Sequence, residues 1–122
     1  MKNIILGSVM ALAAVASLDA NAASSTFCNA PNVAGNAIAT ASSGGSSFFL
    51  KVAFTPKCSA NVYLVGNDES ALLFRVGAAS NKGKSNFGGS SMGGSVARVG
   101  NCAAATCVNT DADSGLSAAP SS

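Results

Sequence analysis

The chain contains no histidine and no tryptophan. Without His there is no Ser-His-Asp or Cys-His system, so hydrolysis by that route is excluded. A Ser-x-x-Lys dyad is also missing at every lysine, and no C-x-x-C pair exists for disulfide exchange. Charge is scarce: Lys, Arg, Asp and Glu make up 10% of 122 residues, with a net charge of +2. Solvated disordered chains are usually charge-rich, so this composition argues against one. It also argues against a nucleic-acid partner, because the nearest thing to a basic cluster is Lys82 and Lys84. No enzyme activity and no cofactor or metal is expected.

What is present begins with an export signal. Met1-Lys2-Asn3 carries one positive charge, and Ile4 to Leu18 is an apolar run broken only by small residues. Ala20-Asn21-Ala22 fits a small-x-small cleavage site, so residues 1–22 read as a signal peptide. No membrane span is expected after cleavage, since a span needs ~20 apolar residues. Four cysteines remain: Cys28, Cys58, Cys102 and Cys107. An even count in a small exported chain implies disulfides. Zinc is the other use, but its ligands come in C-x₂₋₄-C pairs and only Cys102 and Cys107 approach that spacing.

The bulky apolar residues gather between Phe48 and Val76. Phe48, Leu50, Val52 and Phe54 alternate with Phe49, Lys51, Ala53 and Thr55, the period of a strand with one buried face. Asn61 to Val65 is a second strand and Ala71 to Val76 a third, with Gly66 to Ser70 as the turn between them. A helix from Ser70 to about Ala79 is the rival, weakened by Gly77. The expected core is Phe48, Leu50, Val52, Phe54, Val62, Leu64, Leu72, Phe74 and Val76, and Phe54→Ala is expected to lower the melting temperature sharply. Val33 to Ala41 could form an edge strand, and Ser95 to Val99 a short one. Residues 78–95 are glycine-rich, hence either mobile or packed against another backbone. The expected class is mainly β: a small disulfide-stapled antiparallel sheet or sandwich with Gly/Ser-rich loops over residues 23–110. A flexible tail follows over 111–122.

The run Phe48-x-Leu50-x-Val52-x-Phe54, followed by Cys58-Ser59-Ala60, resembles the first strand and cysteine of secreted bacterial fimbrial and spore-coat-U-type subunits. The resemblance implies an immunoglobulin-like sandwich that polymerises by strand donation. Those subunits end in a regular strand, whereas this chain ends in Ala119-Pro120-Ser121-Ser122.

Three patterns approach known sites. Gly77 to Ser85 is close to a phosphate-binding loop but has one residue too many before Gly83-Lys84. Asn109-x-Asp111-x-Asp113 spaces oxygen ligands as a calcium loop does, yet Gly115 comes one residue late and Pro120 replaces the closing Glu. Asp68 and Glu69 are the only adjacent carboxylates, in an expected turn. Gly44-Gly45-Ser46-Ser47 before Cys58 and Gly88-Gly89-Ser90-Ser91 before Cys102 also hint at a diverged repeat.

For the disulfides, Cys102 and Cys107 follow a Gly-Asn turn signal and can meet without help from the rest of the fold, which leaves Cys28 for Cys58. The long link closes about 31 residues, worth roughly 3.7 kcal/mol in the chain-entropy model, and the short one about 6, worth roughly 2.2. The rival joins Cys58 to Cys102. The arm around Cys28 has little apolar surface of its own, so the Cys28–Cys58 link is expected to hold it in place. The functional expectation is a secreted structural or binding protein of the cell surface or periplasm, either self-associating as a surface subunit or bound to an unknown protein partner. The alternative is a soluble secreted effector or inhibitor acting on an external partner.

Overall fold

The computed structural model describes residues 24–31, 34–38 and 47–121. The signal-peptide reading therefore lies outside the described residues, as do Val33 and residues 39–41 of the suggested Val33–Ala41 strand; of its described residues 34–38, Gly35–Asn36 is strand. The architecture is mainly β, with 42% strand and 12% helix. In chain order the elements are β1 (Ser25–Cys28), β2 (Gly35–Asn36), β3 (Lys57–Cys58), β4 (Val62–Ser70), β5 (Leu73–Ser80), β6 (Ser85–Ser90), β7 (Ala97–Asn101) and α1 (Asn109–Ala118). Five strands form one antiparallel sheet in the order β1-β4-β5-β6-β7, and β2 and β3 make a separate two-stranded ladder. The helix lies on one face of the large sheet, so the described fold is a covered single sheet rather than a sandwich.

Both disulfides pair as the spacing predicts, Cys28 with Cys58 and Cys102 with Cys107. The first joins β1 to β3. The second closes the short loop that turns the chain from β7 into α1. The arm is held by more than its disulfide, however. β1 pairs with β4, and Phe27 is buried beside Cys28 and Cys58.

The strand expected over Phe48 to Thr55 is absent. The backbone N–H groups of Phe49 and Leu50 both donate to the Asp68 carboxylate, at 2.7 and 2.9 Å. Successive N–H groups in a strand point to opposite sides, so two neighbours aimed at one carboxylate cannot belong to a ladder. The segment is instead an irregular strap. Its Val52 and Phe54 are exposed, as is Leu72 in the β4–β5 turn, which removes all three from the expected core. Phe48, Leu50, Val62, Leu64, Phe74 and Val76 are half-buried.

The expected turn at Gly66 to Ser70 is also a correction. These residues extend β4, and the reversal falls at Ala71-Leu72. Gly66 stays in the strand because Phe27 packs over it. A Cβ there would lie 2.6 Å from Phe27 Cε2. β5 excludes the rival helix, and β6 runs through the glycine-rich stretch.

The largest departure is at the C-terminus. Asn109–Ala118, most of it within the expected tail, is helical, with Asp111, Ala112, Gly115 and Leu116 buried. Its composition, rich in Asn, Thr, Asp and Ser, favours no helix on its own. Tertiary packing supplies the stability, as is usual for a helix this short. Asp111 accepts the Val108 N–H at 2.8 Å, satisfying one of the free donors at the helix start. At the other end, Arg75 donates to the Ser117 carbonyl at 3.3 Å while paired with Glu69.

The core lies under this helix: Tyr63, Val65, Ala79, Ala112, Leu116, Ala30, Cys102 and Cys107. Val65 is 0% exposed. It pairs with Gly77, which pairs in turn with Gly88. A Cβ on Gly77 would lie 2.9 Å from the Leu116 Cα and closer still to the Ala112 carbonyl. One on Gly88 would collide with the Gly115 carbonyl, and one on Gly115 with the Phe87 backbone. Helix and sheet thus meet backbone to backbone. In the glycine-rich stretch, packing against another backbone is realised at Gly88, while Gly93 and Gly94 sit at positive φ in an open turn.

Candidate functional site

The patterns that approach known sites do not assemble. Asp68 and Glu69 lie in β4 and act on opposite sides of the sheet. Asp68 ties down the strap, and Glu69 accepts from Arg75 Nε at 2.7 Å. They therefore do not form a carboxylate pair. The Gly77–Ser85 stretch is the end of β5, a tight turn and the start of β6. Gly83 N–H closes that turn onto the Ser80 carbonyl at 2.9 Å. Its backbone donors are used in the hairpin rather than in a phosphate cradle. Asn109, Asp111 and Asp113 occupy the first turns of α1, where a wrapping calcium loop would be needed. Asn109 Nδ2 donates to Asp113 Oδ2 at 3.4 Å, while Asp111 turns back toward Val108 and Ala103. The helix puts Asn109 and Asp113 on one face and turns Asp111 away from them, so the three do not converge on one ion. For the suggested repeat, Val96-Ala97 leads into β7 whereas Val52-Ala53 is irregular, and Gly44, Gly45 and Ser46 lie outside the described residues.

The feature that stands out is the sheet face opposite α1. Alternation places Leu64, Gly66 and Asp68 of β4 on it, with Phe74, Val76 and Ala78 of β5 and Phe87 and Gly89 of β6. Val76 stands opposite Gly89, and Ala78 opposite Phe87. Val96 leans over Gly89: a Cβ there would be 2.7 Å from its Cγ2.

Among the described residues, one end of this face is covered. Phe27, Leu50 and the Cys28–Cys58 bridge pack on Leu64 and Phe74. Phe49 adds a tilted ring contact with Phe74, centroids 6.3 Å apart, and remains partly in solvent. Beyond the strap, Phe87 is 41% exposed and Val96 64% exposed. Met92 and Leu72, in neighbouring turns, are exposed as well. Ser91 links those turns, donating to the Leu72 carbonyl and accepting from Phe74 N–H, both at 2.9 Å. Arg98, at the rim, is engaged with Ser85 and Asn101.

Asp68 contributes most to shaping this face, by fixing the strap that covers half of it. Its role was not recognised in the sequence, where it looked like a turn residue. Phe27 carries no pattern signal either, because it stands alone among Ser, Thr, Asn and Ala. Among the described residues, no helix is long and apolar enough to cross a membrane. The two disulfides are consistent with an oxidising compartment outside the cytoplasm. No protein-family model, curated protein or solved structure matches the chain.

Proposed function

We propose that the chain is an exported structural protein of the cell surface or periplasm, without catalytic activity of its own, that self-associates through the sheet face opposite α1. The observation that carries this reading is the half-open apolar surface around Phe87 and Val96, beside a strap that displays Phe49, Val52 and Phe54. Contiguous exposed apolar surface of this kind marks interaction sites in soluble proteins. Two sheets packed face to face settle about 10 Å apart and bury such side chains on both sides.

The character of the face supports a second copy as its partner. Among the described residues, the strand positions of this face carry two ionisable groups, Asp68, buried under the strap, and Arg98, at the rim, and the strap adds the exposed Lys51. Two copies can therefore meet there with few like charges opposed, while a highly charged partner would find little to pair with.

Fractionation of producing cells and sedimentation analysis of the mature chain test this reading. Exported, cell-associated material that forms ordered oligomers is the expected result. A monomer free in the medium at all concentrations would overturn self-association and favour the secreted effector.

A further inference from the structure

We propose that Cys102, Cys107 and Asp111 form a binding site for a thiophilic divalent cation of the zinc type once the bond between the two cysteines is reduced. The inference is independent of self-association. The two sulfurs and a carboxylate oxygen all lie within 4.8 Å of one another, and all three residues are buried. They belong to one short stretch, the loop from β7 into α1 and the first turn of that helix, so no distant elements need to be gathered.

The carboxylate is already oriented. Its Oδ1 accepts from Ala103 N–H at 3.2 Å and its Oδ2 from Val108 N–H at 2.8 Å. Each oxygen keeps a further lone pair, and hydrogen bonds of this kind hold a ligating group in place. A second observation concerns Asn86, which is 5% exposed and donates from Nδ2 to the Asp111 carbonyl at 3.0 Å. Its Oδ1 is buried and has no donor. Asn86 therefore pins the backbone of the ligating residue, while its Oδ1 lies toward Gly100. Two thiolates and a carboxylate leave one position of a tetrahedral zinc centre for a water. Thiolate ligands also select against magnesium and calcium.

The reduction requires an external dithiol. One thiolate of that dithiol attacks Cys102 Sγ, the Cys102–Cys107 bond breaks, and Cys107 leaves as a thiolate. Cys102 is the less deeply buried residue of the pair, 9% exposed against 1% for Cys107. The second thiol of the reductant then displaces Cys102 and ends in a cyclic disulfide, so the protein gains two electrons and two protons. Binding of one divalent cation by the two thiols releases those protons to solvent. The cation then closes the loop that the disulfide otherwise closes.

The test is an anaerobic titration of the reduced, desalted mature chain with Co²⁺, read by the sulfur-to-cobalt charge-transfer band and displaced by Zn²⁺. One equivalent is expected for the reduced chain and none for the oxidised chain. The double variant Cys102→Ser/Cys107→Ser should abolish the band, and Cys28→Ser/Cys58→Ser should retain it. Asp111→Asn should weaken Co²⁺ at least about tenfold, with Asp113→Asn unchanged. Binding by the reduced chain in strong urea, where the helix is lost, should also be at least about tenfold weaker. Absence of the band overturns the proposal, as does a band that survives loss of Cys102 and Cys107. Equal binding in urea overturns it as well, since two flexible thiols would then suffice.

Discussion

The two faces of the sheet bury themselves by opposite means. Under α1 the contact runs through Val65, Gly77, Gly88 and Gly115, and the glycines let helix backbone approach sheet backbone directly. On the other face stand Phe74, Phe87, Val76 and Val96, larger side chains that are half-buried or exposed. Bulk alone does not decide burial, since Tyr63 under α1 and Phe27 under the strap are both buried; what differs is how closely a second layer approaches. Close packing depends on how near two surfaces come, and small residues bring them nearest. The face under the helix is complete in one copy of the chain. The other face has its strap at one end and its apolar surface open at the other.

The largest effect should come from filling the close approach. Gly77→Val places a branched side chain where the Ala112 carbonyl and Leu116 backbone already sit. Backbone cannot yield as a flexible side chain can, so the helix must lift. We expect a loss of about 3 kcal/mol or more in urea unfolding of the oxidised mature chain. Gly83 is the control: a Cβ there meets the Ser80 side chain at an ordinary 3.5 Å, so Gly83→Ala should be far milder. Equal stability of Gly77→Val and wild type would show that α1 does not rest on this row. Next in size is Val65→Ala, which opens a cavity beneath the helix and should cost about 2 kcal/mol in the same measurement.

Asp68→Ala carries the comparison to the other face. It removes the acceptor for two strap N–H groups and should cost about 1.5 kcal/mol. The strap should become cleavable by protease near Lys51 and Lys57 while α1 stays protected from hydrogen exchange. Loss of helix protection in step with the strap would mean that the two faces form a single cooperative unit, against the division drawn here.

These differences explain which parts of the fold could be read from sequence. The disulfides were legible because Cys102 and Cys107 are near neighbours after a turn signal and only one other pair remained. The mainly β class was legible from β-branched and aromatic residues in Val62 to Val65 and Leu73 to Val76. Phe48 to Thr55 has the alternation of a strand, yet Asp68 draws both of its central N–H groups to one carboxylate. That tertiary bond has no sequence signature. Helix α1 was hidden by its polar composition, although Ala112, Gly115, Leu116 and Ala119 recur at helical spacing. A stripe of small residues reads as tail until a partner face with its own glycines is in view. The open face has no sequence signature, because the strap that divides it carries the alternation of a core strand.

The smallest effect on the isolated chain should come from the open face. Val52 is 77% exposed, and Phe87 keeps much of its ring in solvent. Phe54 is exposed too, so the sharp loss first expected for Phe54→Ala becomes a small one. At concentrations where the chain is monomeric, Val52→Ser and Val96→Ser should each change unfolding free energy by less than about 0.5 kcal/mol. Phe87→Ser should cost only slightly more, for the half of the ring that contacts Ala78 and its neighbours. The same substitutions should act much more strongly on association. An aromatic side chain buries ~150–250 Å² when fully covered. Covering the remaining part of Phe87 in each of two copies removes about 100–200 Å² of apolar surface in all, worth roughly 2.5–5 kcal/mol at ~25 cal/mol per Å². Sedimentation equilibrium should therefore show a weakening of about tenfold or more for Phe87→Ser, with the monomer still folded by far-UV circular dichroism. If association is unchanged while Gly77→Val still destabilises the monomer, the self-association site is elsewhere and the contrast between the two faces is one of packing alone.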